Sequence, residues 1–148
     1  FIKHKRIIFI NEDIRSILNG LIEREDYLYE HFALEIDHFT DVFHFAAIVG
    51  GRATIDGDPM KVALDLAIDA LFFRWTCLHK PSRVLYPSSS AAYPVDLQTE
   101  SDAIALNETD INFKKMGQPD MTYGWTKLTG EYLASIAAYS SDVIDYSN

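Results

Sequence analysis

Pro81-Ser82-Arg83-Val84-Leu85-Tyr86-Pro87-Ser88-Ser89-Ser90 is the stretch on which the fold of this chain turns. A proline ends the apolar segment before it, residues 83–86 have strand character, and three serines close the strand. Upstream, Asp58 and Pro59 mark a helix start: the acid can cap it and the proline suits the first turn. Apolar residues then run to Leu78, so the pattern predicts a helix over 58–78. Lys61, Asp65 and Asp69 form one polar line along it. A helix so apolar elsewhere is covered on more than one side, by a sheet and by another helix or subunit.

Outward from this helix, Asp41-Val42-Phe43-His44-Phe45-Ala46-Ala47 reads as a strand ending in small residues. Residues 6–10 read as a short, β-branched, buried strand, and Asn11-Glu12-Asp13 as the polar turn after it. Residues 14–39 are loosely helical with a break at Gly20. Acids alternating with Tyr27, Tyr29, Phe32, Leu34 and Ile36 leave helix and strand both open there. Residues 48–58 read as a loop carrying Gly50, Gly51 and Gly57. Residues 93–119 form a long irregular connection, a length usual for functional loops. A last helix spans 123–139. Strands alternating with helices predict an α/β class with a parallel sheet. Ligands of such sheets bind beyond the carboxyl ends of the strands, which here means residues 11–15, 46–51 and 88–93.

The 148 residues amount to one domain, and 48% apolar with 13% aromatic residues mark a folded chain. A net charge of −9 argues against nucleic acid as the main partner, because phosphates require a basic surface. Cys77 is the one cysteine and lies in an apolar stretch, which predicts a buried thiol in a reducing, cytoplasmic compartment. No apolar run approaches the roughly 18–20 residues of a membrane span. The start, Phe-Ile-Lys-His-Lys-Arg, is not a signal peptide. A chain that opens straight into a strand pattern is expected to be an internal piece of a longer protein. His31, Asp37, His38 and Asp41 follow no established ligand spacing, so no metal is expected.

Tyr123 and Lys127 stand four apart and share one helix face. A tyrosine works as acid or base near neutral pH only if a nearby cation stabilises its phenolate. With 8 tyrosines in the chain, roughly 0.4 such pairs arise by chance, so the pair alone decides little. The serine run and the Ala46-Ala47 strand end give it context.

Four segments, in order, resemble the extended short-chain dehydrogenase/reductase family of nucleotide-sugar epimerases and their relatives. Asp13-Ile14-Arg15 resembles the family's adenine-contacting turn. Val42-Phe43-His44-Phe45-Ala46-Ala47 resembles the strand whose small-residue end lies against the cofactor. Ser88-Ser89-Ser90-Ala91-Ala92-Tyr93-Pro94 resembles the catalytic serine strand, and Tyr123-Gly124-Trp125-Thr126-Lys127 with Glu131 the active-site helix. The resemblance implies that residues 1–148 are the central part of a single NAD(P)-binding, Rossmann-like domain. Its first two strands and carboxy-terminal substrate region would lie outside the chain.

By the same resemblance Ser89 is the catalytic hydroxyl, with Ser90 as the other candidate, beside Tyr123 and Lys127. Lys127 would stabilise the Tyr123 phenolate, Tyr123 would exchange the sugar hydroxyl proton, and Ser89 would hold the same oxygen. Asp13, Ile14, Phe45, Ala46, Ala47 and Lys127 would contact NAD or NADP. Ser90 and Ala91 stand where the family's dehydratases carry Asp-Glu, which favours an epimerase-like or ketoreductase-like hydride shuttle on a nucleotide-sugar. The two long helices resemble the pair through which the family forms homodimers. The glycine-rich phosphate loop is absent from the chain, and Asp65 replaces a common Asn. A non-catalytic dimerisation or binding module derived from this family is the alternative.

Overall fold

The apolar helix predicted over 58–78 organises the molecule. The structure, a computed structural model, describes residues 7–48, 50–98 and 105–140. The helix is divided into α4 (Pro59–Val62) and α5 (Asp65–His79). Asp58 caps α4 by accepting from the Lys61 N–H at 3.0 Å, as the sequence predicts. Between the pieces the backbone stays right-handed but tightens: Leu64 N donates to Lys61 O and Ala67 N to Leu64 O. The buried positions of α5, Ile68, Phe72, Phe73, Trp75 and Thr76 together with Asp65 and Asp69, recur at helical spacing and define its inner face. Lys80 turns left-handed (φ 45°) and Pro81 ends the element.

Helices pack on both sides of α5. α1 (Ile14–Glu23) brings Leu18 and Leu21, α2 (Tyr27–Phe32) brings Leu28, and α6 (Met121–Ser140) brings Ala137. With Phe72, Phe73 and Trp75 these side chains form one core cluster. The expected break at Gly20 does not occur. Leu18 and Leu21 anchor the helix on either side of it, which outweighs a propensity cost of about 1 kcal/mol. A short helix, α2, resolves the ambiguous stretch after it.

Two strands, β1 (Asp41–Phe43) and β2 (Arg83–Leu85), pair in parallel, with Val42 opposite Val84. Parallel neighbours need a crossover, here α3 (Arg52–Gly57), α4 and α5. Alternation along each strand turns Val42 and Val84 towards the helical core and leaves Phe43 and Leu85 exposed on the other face. The described residues therefore form a mixed α/β unit with helices against one sheet face. The strand expected over 6–10 is a correction. Arg6 lies outside the described residues, and 7–10 is not part of the ladder. Ile7, Ile8 and Phe9 are 65–78% exposed, so this stretch is not the buried strand its β-branched residues suggest. β1 is likewise shorter than residues 41–47, ending where His44 turns into the core. The stretch 48–58, expected as a loop, contains α3.

The long connection after the serines is tied at its base. Val95 N donates to Gln118 O at 2.8 Å and Asp120 N to Ala91 O at 2.9 Å, so its two ends meet beside the start of α6. Gly124 lets that helix touch the Ala91 carbonyl, since any Cβ there would overlap the oxygen. Because the obstacle is backbone, we predict that Gly124→Ala costs about 1–3 kcal/mol in urea unfolding, and an unchanged midpoint would contradict this packing.

Candidate active site

The carboxyl ends of β1 and β2 and the first half of α6 converge on one place. β2 runs into Tyr86, Pro87 and the serines. Ser89 is extended (φ −154°, ψ 151°), and its Oγ accepts from Ala91 N at 3.3 Å, which starts the tight turn Ser90–Ala92. The Ser88 hydroxyl bonds the Glu131 carboxylate on α6. Ala92 is 1% exposed, so the turn is seated on α6.

Lys127 is buried at 6% exposure, unusual for a lysine. Its Nζ donates to Pro87 O at 3.1 Å and lies 5.8 Å from the Tyr123 ring centroid and 5.1 Å from that of Tyr86. Tyr123 itself is half-buried, one turn back on α6. The buried Thr126 bonds back to Tyr123 O at 2.8 Å, keeping the first turns of this helix regular. The structure thus brings Tyr123, Lys127 and the turn bearing Ser89 together.

The cofactor candidates divide. Phe45, Ala46 and Ala47 follow β1 at the same end as the serines. Ala46 and Ala47 are half-buried, while Phe45 is exposed and stacks on Phe43 with centroids 6.0 Å apart. Asp13 caps α1 through Arg15 N at 2.8 Å and pairs with the Arg15 guanidinium, which holds its carboxyl down at about 2. Ile14 packs against the core. Among the described residues no hydrogen bond or ion pair joins Asp13 or Ile14 to α6 or the serine turn. Of the side chains weighed as metal ligands, His31 stacks on Tyr27, His38 bonds Ser82 Oγ at 2.8 Å and Asp41 pairs with Arg83 at 2.7 Å.

A buried polar cluster lies beneath this surface. Asp65 and Asp69 were expected on a polar line with Lys61, yet they are 2% and 3% exposed. Asp69 accepts from Tyr86 Oη at 2.8 Å and faces His44 Nε2 at 2.8 Å. Asp65 accepts from Ile48 N at 2.6 Å, tying the segment after β1 to the start of α5, while its Oδ2 is buried without a partner. The signal in the sequence was two acids four apart on a helix apolar all round, which leaves no wet face for them. Burial pushes the Asp65 carboxyl up; the Ile48 N–H opposes that, Asp69 adds to it, and Lys127 and His44 offset it. Burial also raises Glu131, against the pull of its bond from Ser88.

An ammonium held between phenols beside a hydroxyl-bearing turn can move a proton to or from a substrate oxygen and steady the charge that develops there. No family model matches this sequence, and no curated protein matches it.

A carboxyl raised in the folded state binds its proton more tightly there, so its contribution is complete below the ordinary carboxyl range and is lost as pH rises through the raised value. We predict that Asp65→Asn, which keeps an acceptor for Ile48 N–H, gains stability relative to the parent between about pH 4 and pH 7. Denaturant unfolding across that range checks this; a constant difference would contradict a net cost of charging the buried Asp65 carboxyl.

Proposed function

We propose that the chain is the central, Rossmann-like part of a nucleotide-sugar epimerase or ketoreductase similar to the extended short-chain dehydrogenases, using a Ser89–Tyr123–Lys127 site with NAD or NADP in the cytoplasm. The observation that carries this reading is the buried Lys127 ammonium beside Tyr123, at the carboxyl end of a parallel strand pair. Burying an ammonium is costly unless something requires it there.

The residues divide the work by donor count. Ser89 Oγ accepts from Ala91 N, so its own proton can be given to a substrate oxygen. Tyr123, half-buried, passes a proton to or from that oxygen. Lys127 supports the phenolate and holds the helix face against Pro87 O. A nicotinamide, when bound, would supply or take up hydride at the sugar carbon. The fit is good at its ribose end: Lys127 has three N–H donors, one of which goes to Pro87 O, and Ala46 and Ala47 offer little bulk. It is poor at the pyrophosphate, for which the chain holds no glycine-rich loop. The Asp13 carboxylate, taken up by Arg15, is not free for the adenine end. Ser90 and Ala91 offer no acid–base pair for eliminating water, which supports hydride shuttling over dehydration.

The second reading, a dimerisation or binding module, is favoured by one observation. Trp125, Tyr132, Ile136 and Tyr139 are 42–91% exposed at spacings that share one side of α6, while Leu64, Leu66 and Leu78 are exposed around α5. A homodimer through these helices is compatible with either reading.

In the native gene product we predict that Tyr123→Phe lowers turnover by about 10²–10⁴-fold while folding and NAD(P) binding persist. Turnover that survives the substitution would remove Tyr123 from the chemistry. Sedimentation is expected to give a dimer that Ile136→Glu weakens, and a stable monomer in the parent would sink the helix-pair interface.

A further inference from the structure

The cluster around Asp69 is not used by the chemistry proposed above, yet it touches the element that holds Lys127. His44 is the first residue after β1 and Tyr86 the first after β2. One carboxylate on α5 faces both, through separate oxygens: Oδ1 to His44 Nε2 and Oδ2 to Tyr86 Oη, each at 2.8 Å. The His44 ring is itself fixed, lying flat on Phe72 with centroids 4.0 Å apart at 8°. The His44 and Asp69 side chains are closed to solvent, at 4% and 5% exposed, and Tyr86 is half-buried above them.

Tyr86 in turn supports Lys127. Its ring faces the Lys127 ammonium, and the neighbouring carbonyl of Pro87 accepts from the same nitrogen. The far end of the Tyr86 side chain lies against Gly130, where a Cβ would overlap the hydroxyl. The phenol is therefore held between an acceptor on α5 and the bare backbone of α6. Two tyrosine rings flank the one ammonium, and they differ in kind. Burial and the adjacent Asp69 carboxylate drive the Tyr86 hydroxyl far above its ordinary range, so it stays a neutral donor. Among the described residues no hydrogen bond engages the Tyr123 hydroxyl, and the side chain is half-buried.

We infer that Asp69, steadied by His44, is a positioning residue that locks Tyr86 as a neutral donor beside Lys127 and so reserves the ammonium for Tyr123. This rests on the reading of Tyr123 and Lys127 as the acid–base pair. The charged and titratable groups around this ammonium are Asp65 and Asp69 on α5, His44 after β1, Tyr86 after β2, and Tyr123 and Glu131 on α6. Without the Tyr86–Asp69 bond the Tyr86 phenol is no longer held in place, and the ammonium that rests on its ring shifts relative to Tyr123.

The role needs hydrogen bonds, not a charge, which separates the variants. In Asp69→Ala both partners lose their acceptor. In Asp69→Asn the carboxamide oxygen accepts from Tyr86, and the amide donates to His44 in its other tautomer. The native gene product is treated with acetic anhydride, and the acetylation rate of Lys127 is read by mass spectrometry against exposed Lys61 as internal standard. Turnover is measured against pH on the same variants. Asp69→Ala and Tyr86→Phe are expected to change the relative rate at Lys127 about tenfold and to move the acid limb of the turnover profile up by about one pH unit, with Asp69→Asn restoring both. If Asp69→Ala fails to fold, Tyr86→Phe, which removes one hydroxyl, decides. Unchanged labelling in a folded Tyr86→Phe protein overturns the inference, as does an Asp69→Asn variant that behaves like Asp69→Ala. If the parent shows no turnover, the proposed function falls, while the labelling still decides the positioning role.

Discussion

Two strand ends and one helix meet at the carboxylate of Asp69. A buried charge of this kind is tolerated only when its oxygens are paired, and removing a partner typically costs about 3–5 kcal/mol. Asp69 has both oxygens engaged, one by the residue after β1 and one by the residue after β2. The two-stranded ladder is short, with one further bond from His44 N to Leu85 O. A shared carboxylate on the crossover helix therefore does what a longer ladder would do, setting the height at which both strands end. The segments beyond those ends leave from that constraint and are then tied down by Asp65 at Ile48 N and by Glu131 at Ser88.

α6 supplies the opposite wall. It approaches closely at two glycines, one against the Ala91 carbonyl and one against the Tyr86 hydroxyl. Between them lies Lys127, buried and answered by a carbonyl, two aromatic faces and the nearby carboxylate of Asp65. The arrangement sets a buried cation between the rings of Tyr86 and Tyr123. Side chains carried by helices and strand ends are held more rigidly than those on loops, which suits a group whose placement matters to within a fraction of an ångström.

Much of the architecture was legible because it rests on local rules. Asp58-Pro59 announced a helix start, Pro81 a stop, and Val42 and Val84 marked the strands that pair. Residues 7–10 have the same local character as those strands, yet they are not part of the β1–β2 ladder and are largely exposed; β-branching alone does not make a sheet. Gly20 misled for the converse reason, since propensity signalled a break that Leu18 and Leu21 overrode by burial. In the site, Ser89, Tyr123 and Lys127 were nameable as candidates because their order along the chain resembles that of a known family. Asp69 was not, because an acid on a helix reads as solvated until the surrounding elements are in place.

The sequence by itself determined the alternation of strand and helix, many of the places where elements start and stop, and that a serine run, a tyrosine and a lysine stand near strand and helix ends. These follow from backbone sterics and apolar periodicity, which act over a few residues. Tertiary structure decided which acids lose their water, which tyrosine near Lys127 bonds to Asp69, and how far the strands extend. Those outcomes depend on the meeting of groups 17 to 25 residues apart in Asp69, Tyr86 and His44. Desolvation and hydrogen-bond pairing at such a meeting point arise only once the chain is packed.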